Sequence, residues 1–240
     1  MKIHVLKEGL FSVNKDKVFT NVTSSEKKGS ILVGVQPFLV ESLSGLILLD
    51  AGLGCVEEGI PKIHSNILKT LHKPEMLSII LLSHLHKDHI SGLVNKENNN
   101  WKLNFPNAKI YIQKREFDFA MSNQNNPSYD LEILDYISDN AQIVWLKEDY
   151  GMINSEVSYE VSGGHTPFHQ VFYIRENGET CFYGADNLPT ADYLKYQITF
   201  KRDFDGKRAM KSRIIWKNKA KIEHWKILFY HDLKLESISL

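Results

Sequence analysis

Apolar and polar positions along the first half of the chain follow strand patterns. Residues 2–6 alternate, and residues 30–40 and 45–50 are β-branched or apolar runs bounded by Gly, Ser and Pro, as strands are. The run 45–50 ends in Asp50 and leaves through Ala-Gly-Leu-Gly. Residues 60–71 have helical spacing. Residues 77–82 (LSIILL) are nearly all apolar, which predicts a strand covered on both faces. Residues 108–113 predict a strand, 114–121 and 129–138 two helices, and 141–146, 157–161, 170–175 and 179–185 four further strands. In residues 205–220, Ala209, Met210, Ile214 and either Ile215 or Trp216 recur at helical spacing, which predicts a long amphipathic helix. Residues 227–231 form a last strand. The Asn-rich segments 95–100 and 122–126 predict surface loops. Strands and helices mix in both halves, so the expected architecture is two sheets with helices outside them.

The chain has 240 residues, which at ~150 residues per domain permits one large domain or two small ones. It shows no repeat and no linker, so a single domain over residues 1–240 is expected. Hydrophobic residues make up 42% and charged residues 24%, which excludes collagen, long coiled coil and intrinsic disorder. Basic and acidic residues balance at 29 each, so no global field gathers nucleic acid or an acidic membrane. The basic stretch from Lys201 to Lys221 reads as a solvated helix face. Cys55 and Cys181 are too few for a disulfide framework and read as buried free thiols. The segment MKIHVLKEG lacks a signal-peptide core, and no run approaches 18 apolar residues. A cytoplasmic protein with neither membrane nor nucleic-acid partner is expected.

The chemistry concentrates in residues 83–89, SHLHKDH. Chance would place three His and an Asp in that pattern about once in 1,000 such chains. The segment follows a buried strand, where loops carry function. His84 and His86 are two apart and project to one side of an extended backbone. Asp88 and His89 follow once the chain turns. Two ligand pairs on one loop suit two metal ions, each needing further ligands from elsewhere. His165 in VSGGHTPFHQ, Asp186 in CFYGADNLP and His231 in ILFYHD each stand at another strand end. His169 reads as structural, and His4, His64, His72 and His224 as surface or packing residues. Asp232 adjoins His231 but is expected to point to the other face.

This ordered set resembles the metallo-β-lactamase superfamily over nearly the whole chain, from Asp50 to His231. The resemblance implies an α+β fold, an αββα sandwich of two mixed β-sheets flanked by helices, with a dinuclear metal site at one edge. It implies that His84, His86 and His165 hold one ion and that Asp88, His89 and His231 hold the other. Asp186 would bridge them, together with a hydroxide that serves as nucleophile. Asp50 would accept the N–H of a ligand histidine. Asp88 would also act in catalysis, orienting the nucleophile or passing on its proton. Two divalent ions are the implied cofactors, zinc by ligand type.

Within that family, GGHTPFHQ is similar to the quorum-signal lactonase pattern, which implies a hydrolase of a lactone or small ester. Phe168 stands where a glycine is usual, and its ring is expected to enter the pocket of a reshaped turn. Pro189 stands where such lactonases carry a tyrosine, leaving Tyr193 and Tyr196 as candidate substrate contacts. The pocket is expected between the N-terminal strands and residues 188–200. Phosphotriester or phosphodiester hydrolysis on the same site is the alternative, and a non-catalytic metal-binding protein a third reading. The expected partner is a small-molecule substrate. Many relatives pair, which makes a homodimer a further candidate.

Overall fold

The computed structural model describes residues 1–22, 30–98 and 100–240. Among them, two six-stranded sheets form the centre. The first runs, from one edge to the other, through Lys2–Val5, Phe38–Ser42, Gly45–Leu49, Ile79–Leu81, Lys109–Gln113 and Gln142–Leu146. Its last four strands are mutually parallel. The second runs through Tyr150–Met152, Val157–Val161, Gln170–Glu176, Glu179–Tyr183, Lys226–Leu228 and Ser237–Ser239. There only Glu179–Tyr183 and Lys226–Leu228 are parallel neighbours.

Alternation along these strands builds the layers. Ile47 and Leu49 face the second sheet and pack with Phe172, Cys181 and Tyr183. Leu46 and Leu48 face the other way, toward Ile63, Ile67, Ala120 and Ile133 on the helices Lys62–Lys69, Lys114–Ser122 and Leu131–Asn140. Phe182 and Ile227 likewise turn outward onto Trp216 and Ala220 of the helix Gly206–Glu223. Strands sandwiched in this way read as continuous apolar runs because both faces are buried. Each fully buried side chain contributes about 1.5–3 kcal/mol of apolar burial. The result is the expected αββα sandwich.

Several boundaries differ from the pattern-based expectation. Residues 30–40 are not one strand. The chain changes sheets at Gln36-Pro37, so Ile31–Val35 joins Gly9–Val13 and Phe19–Asn21 in a separate three-stranded sheet. The segment 95–100 is not a plain loop: Val94–Glu97 and Asn100–Leu103 pair as a hairpin, with Asn99 outside the described residues. On the helix Gly206–Glu223 the buried face is Ala209, Arg213, Trp216 and Ala220, while Ile214 and Ile215 are exposed. The polar guanidinium is buried because its N–H groups bond the backbone oxygens of Asn187 (2.7 Å) and Ile198. Cys181 is buried between the sheets but Cys55 only half-buried, and both are free thiols. Burial pushes Cys181 up to about 12. No helix among the described residues is long and apolar enough to cross a membrane.

The parallel strands present their C-terminal ends at one edge. Asp50 follows Leu49 with a left-handed backbone, φ 53°. The loop after it is anchored by buried Glu8, whose carboxylate accepts from the Leu53 N–H (2.5 Å) and the Cys55 N–H (3.2 Å). Gly52, at φ +85°, leaves room for that carboxylate, since a Cβ there would lie 2.5 Å from its oxygen.

Burial raises the Glu8 carboxyl from 4.5 to about 7, despite those backbone hydrogen bonds. The folded chain therefore keeps a proton that the unfolded chain has lost. The stability this gives is complete below pH 4.5 and is lost as pH rises through about 7. Glu8→Gln should thus gain stability relative to wild type across that window, by up to roughly 3 kcal/mol. Urea unfolding of both proteins at a series of pH values measures the difference, and parallel pH profiles would contradict it.

Candidate metal centre

The carboxylate of Asp50 is fully buried and organises the first part of the site. It accepts from the Ser83 N–H (2.8 Å), the Ser83 hydroxyl (2.7 Å), the Tyr183 hydroxyl (2.5 Å) and His89 Nδ1 (2.7 Å). The Ser83 oxygen in turn lies 3.0 Å from His84 Nδ1. Because His89 Nδ1 carries its proton toward Asp50, its Nε2 presents a lone pair inward. Asp50, expected to accept a histidine N–H, lies within hydrogen-bond distance of His89 Nδ1. Tyr230 stacks on the His89 ring, with centroids 4.2 Å apart, and its hydroxyl donates to the Asp88 carbonyl at 2.7 Å.

The other imidazoles are oriented in the same manner. His165 Nδ1 lies 2.8 Å from Asp203 Oδ1, and His231 Nδ1 lies 2.6 Å from the Gly34 carbonyl. Their Nε2 atoms therefore face the centre. His86 differs: it turns Nδ1 inward, 3.1 Å from His165 Nε2. The turn that carries His165 needs Gly163 (φ +59°) and Gly164 (φ +100°), a conformation that costs glycine little. Asn187 closes the turn, its side-chain oxygen accepting the His165 N–H at 2.8 Å.

Two groups result. His84, His86, His165 and Asp186 form one, and Asp88, His89 and His231 the other, with donor atoms within 4.8 Å of one another in each. Asp186 sits between them. Its Oδ2 is 3.2 Å from His165 Nε2 and 4.0 Å from His84 Nε2. Its Oδ1 is 3.0 Å from His231 Nε2 and 3.2 Å from His89 Nε2. Asp88 Oδ2 lies 3.4 Å from His231 Nε2. All seven side chains singled out in the sequence thus converge at one point.

The donor set fits metal ions. His84 Nε2, His89 Nε2 and Asp186 Oδ1 are buried without a hydrogen-bond partner, an arrangement that costs about 1–3 kcal/mol per orphaned group unless something binds there. Burial, followed by the neighbouring imidazoles, holds His84 well below its usual value and therefore neutral, the form that ligates metals. Burial opposes charge on His89 too, but Asp186, Asp50 and Asp88 together raise it well above its ordinary value; the same carboxylates favour any cation at Nε2, and a bound ion would displace that proton and take up the lone pair. Burial alone would raise Asp186, yet His231, His89 and His165 keep it ionised.

A cavity of about 280 Å³ opens onto these groups. Val13, Phe19 and Val33 from the three-stranded sheet form an apolar wall, faced by Pro189, Tyr193 and Phe200. Two expectations are corrected here. Phe168 does not adopt a positive φ, and its ring stacks beneath the Arg115 guanidinium, 5.0 Å away, instead of lining this cavity. Tyr196 is 53% exposed and borders another groove, because the short helix Asp192–Lys195 turns it away from the site. Tyr193 does line the cavity. Asp232 accepts the Ala191 N–H at 2.9 Å and stays outside both groups.

The sequence pattern missed Asp203, Asn187, Tyr183 and Glu116. Glu116 is buried and accepts from the Thr166 hydroxyl at 2.8 Å and the Phe168 N–H at 3.3 Å. Burial raises it to about 7. Only Asn187, adjacent to Asp186, carried a local signal.

Comparison with known proteins agrees with this geometry. Residues 32–231 match the Metallo-beta-lactamase superfamily, and the chain belongs to that superfamily. It is a metal-dependent hydrolase of that family, with a His/Asp cluster suited to two ions. An N-acyl homoserine lactonase of Bacillus sp. is 28% identical over 239 residues, covering 90% of this chain and 89% of its own. The lactonase AiiA of Bacillus thuringiensis subsp. kurstaki is likewise 28% identical, with the same coverage. Among solved structures, a probable metal-dependent hydrolase from Staphylococcus aureus superimposes with a TM-score of 0.78 at 17% identity, covering 99% of this chain and 91% of its own. The dizinc quorum-quenching lactonase AidC does so with a TM-score of 0.76 at 23% identity and the same coverage.

Asp203→Ala should weaken metal binding about 10–100-fold, the usual cost of losing a ligand-orienting partner. Titration against a competing chromophoric chelator measures this. Unchanged affinity would mean that Asp203 does not orient His165.

Proposed function

We propose that the protein opens a lactone or another small, fairly apolar ester at a dinuclear zinc centre. One observation carries this reading: a largely buried carboxylate, Asp186, turns each oxygen toward a separate imidazole group beside an apolar-walled cavity. His84, His86 and His165 would hold one ion, Asp88, His89 and His231 the other, and Asp186 both. When bound, two divalent ions lower the pKa of a shared water toward neutrality and polarise a carbonyl or phosphoryl oxygen. Asp88, which lines the cavity, would orient the attacking water, receive its proton and hand it to the alcohol oxygen released as the ester C–O bond breaks. Val13, Phe19 and Val33 would seat the apolar part of the substrate and exclude bulk water. Tyr193 would donate its hydroxyl hydrogen to the substrate's carbonyl oxygen, in place of a residue at position 189. The similarity to N-acyl homoserine lactonases supports a lactone as substrate. Two unpaired thiols suit a cytoplasmic setting.

A second reading keeps the site and changes the bond. Lys17, Lys87 and Arg202 line the same cavity, and their charge favours an anionic substrate such as a phosphodiester. A panel of aliphatic lactones, nitrophenyl esters, phosphotriesters and phosphodiesters separates the two readings.

On the preferred substrate, His84→Ala/Asp88→Ala should abolish turnover while circular dichroism stays native. Turnover that persists in this variant would discard the mechanism. Tyr193→Phe should lower kcat/KM about tenfold, the worth of one well-placed hydrogen bond, and Tyr196→Phe should leave it unchanged. Equal effects of the two substitutions would remove Tyr193 from its role.

A further inference from the structure

Far from the hydrolytic centre, the edge of the first sheet gathers a second set of metal-type donors. His4 lies on the edge strand Lys2–Val5 and Glu41 on its neighbour Phe38–Ser42. The antiparallel register pairs His4 with Leu39 and Lys2 with Glu41, so these four side chains share one face. Leu39 belongs to the core beneath the helices. That face is therefore the one over which the chain passes after the helix Lys62–Lys69, and there it delivers His72.

Both histidines use the same ring atom on the same acceptor. His72 Nε2 lies 2.9 Å from Glu41 Oε1, and His4 Nε2 also contacts that oxygen. The two rings meet edge to face, with centroids 6.0 Å apart. The three donor atoms lie within 4.8 Å of one another. The side chains are 16–29% exposed, so an ion can reach them, yet they are packed enough to be held in place. Two imidazole nitrogens and one carboxylate oxygen, with a further position open to water, form a common donor set for zinc.

We propose that His4, Glu41 and His72 bind a divalent transition-metal ion, separate from the ions of the hydrolytic centre. The separation follows from the register. Glu41 pairs with Leu46, whereas Asp50 lies four residues further along that strand and its exit, about 13 Å at ~3.3 Å per residue. The ion would tie the edge strand, which among the described residues has a neighbour on one side only, to the segment after the helix. Edge strands otherwise depend on such covers and clamps. Lys2 Nζ, 3.5 Å from the same Glu41 oxygen, would compete with the ion by charge.

The test is zinc stoichiometry by equilibrium dialysis and elemental analysis of the zinc-loaded enzyme. Wild type should hold one equivalent more than either His72→Ala or Glu41→Gln, at free zinc in the micromolar range. Both variants should keep the wild-type circular dichroism spectrum, which shows that they are folded. Affinity for the additional ion should fall about 100-fold or more in each, exceeding the loss from removing an orienting partner. Lys2→Ala should tighten it. Equal stoichiometry in wild type and both variants overturns the proposal, leaving the cluster a set of hydrogen bonds. So does an additional equivalent that survives both substitutions. Because the readout is a difference between proteins, it does not depend on what the hydrolytic centre binds or cleaves.

Discussion

A carboxylate with no access to water holds the two halves of this molecule in register. Asp50 leaves the first sheet at the end of Gly45–Leu49. Its oxygens take hydrogen bonds from Ser83 on the loop after the neighbouring parallel strand, from His89 on the short helix beyond, and from Tyr183 on the second sheet. A polar group buried this deeply is tolerable only when such bonds replace its hydration. The constraint is therefore mutual. The sheets must meet closely enough for the Tyr183 hydroxyl to arrive, and the SHLHKDH loop must fold back over Asp50. Once both conditions hold, the His84 and His89 rings have little freedom left.

The same logic extends outward. His165 is oriented by Asp203, and His231 by the Gly34 carbonyl of the three-stranded sheet. That sheet does two things at once: its backbone sets the tautomer of one imidazole, and its side chains wall the cavity. Gly34 has little room for anything larger, since a Cβ there would lie 2.7 Å from the Asp232 carbonyl oxygen. The backbone strain of the site sits close by, at Asp50 and at Ala185, which holds φ 41° immediately before Asp186. Left-handed conformations of this kind cost non-glycine residues free energy that surrounding contacts must offset.

Much of the fold was legible in the chain because burial imposes periodicity. Runs covered on both faces, such as residues 77–82, stand out as continuous apolar segments. The strands 9–13 and 19–21 did not stand out, since they are only five and three residues long and pair over a small area. The change of sheet at Gln36-Pro37 was invisible for another reason. Pro37 interrupts backbone donation, but only the Leu6 N–H reaching its carbonyl at 2.7 Å and the Gln36 amide reaching the Phe229 carbonyl at 2.6 Å show where the chain goes next.

The sequence by itself determined the donor inventory: which seven side chains follow the strands, in what order, and that they include five imidazoles and two carboxylates. Their density and placement are local properties, so spacing along the chain reveals them. Only the tertiary structure decided how each ring is turned, that Asp186 splits its oxygens between two groups, and that Tyr193 and not Tyr196 or Phe168 reaches the cavity. Those outcomes depend on contacts between residues such as 165 and 203 or 34 and 231. No periodicity links such positions, and only close packing of the layers brings them within hydrogen-bond reach.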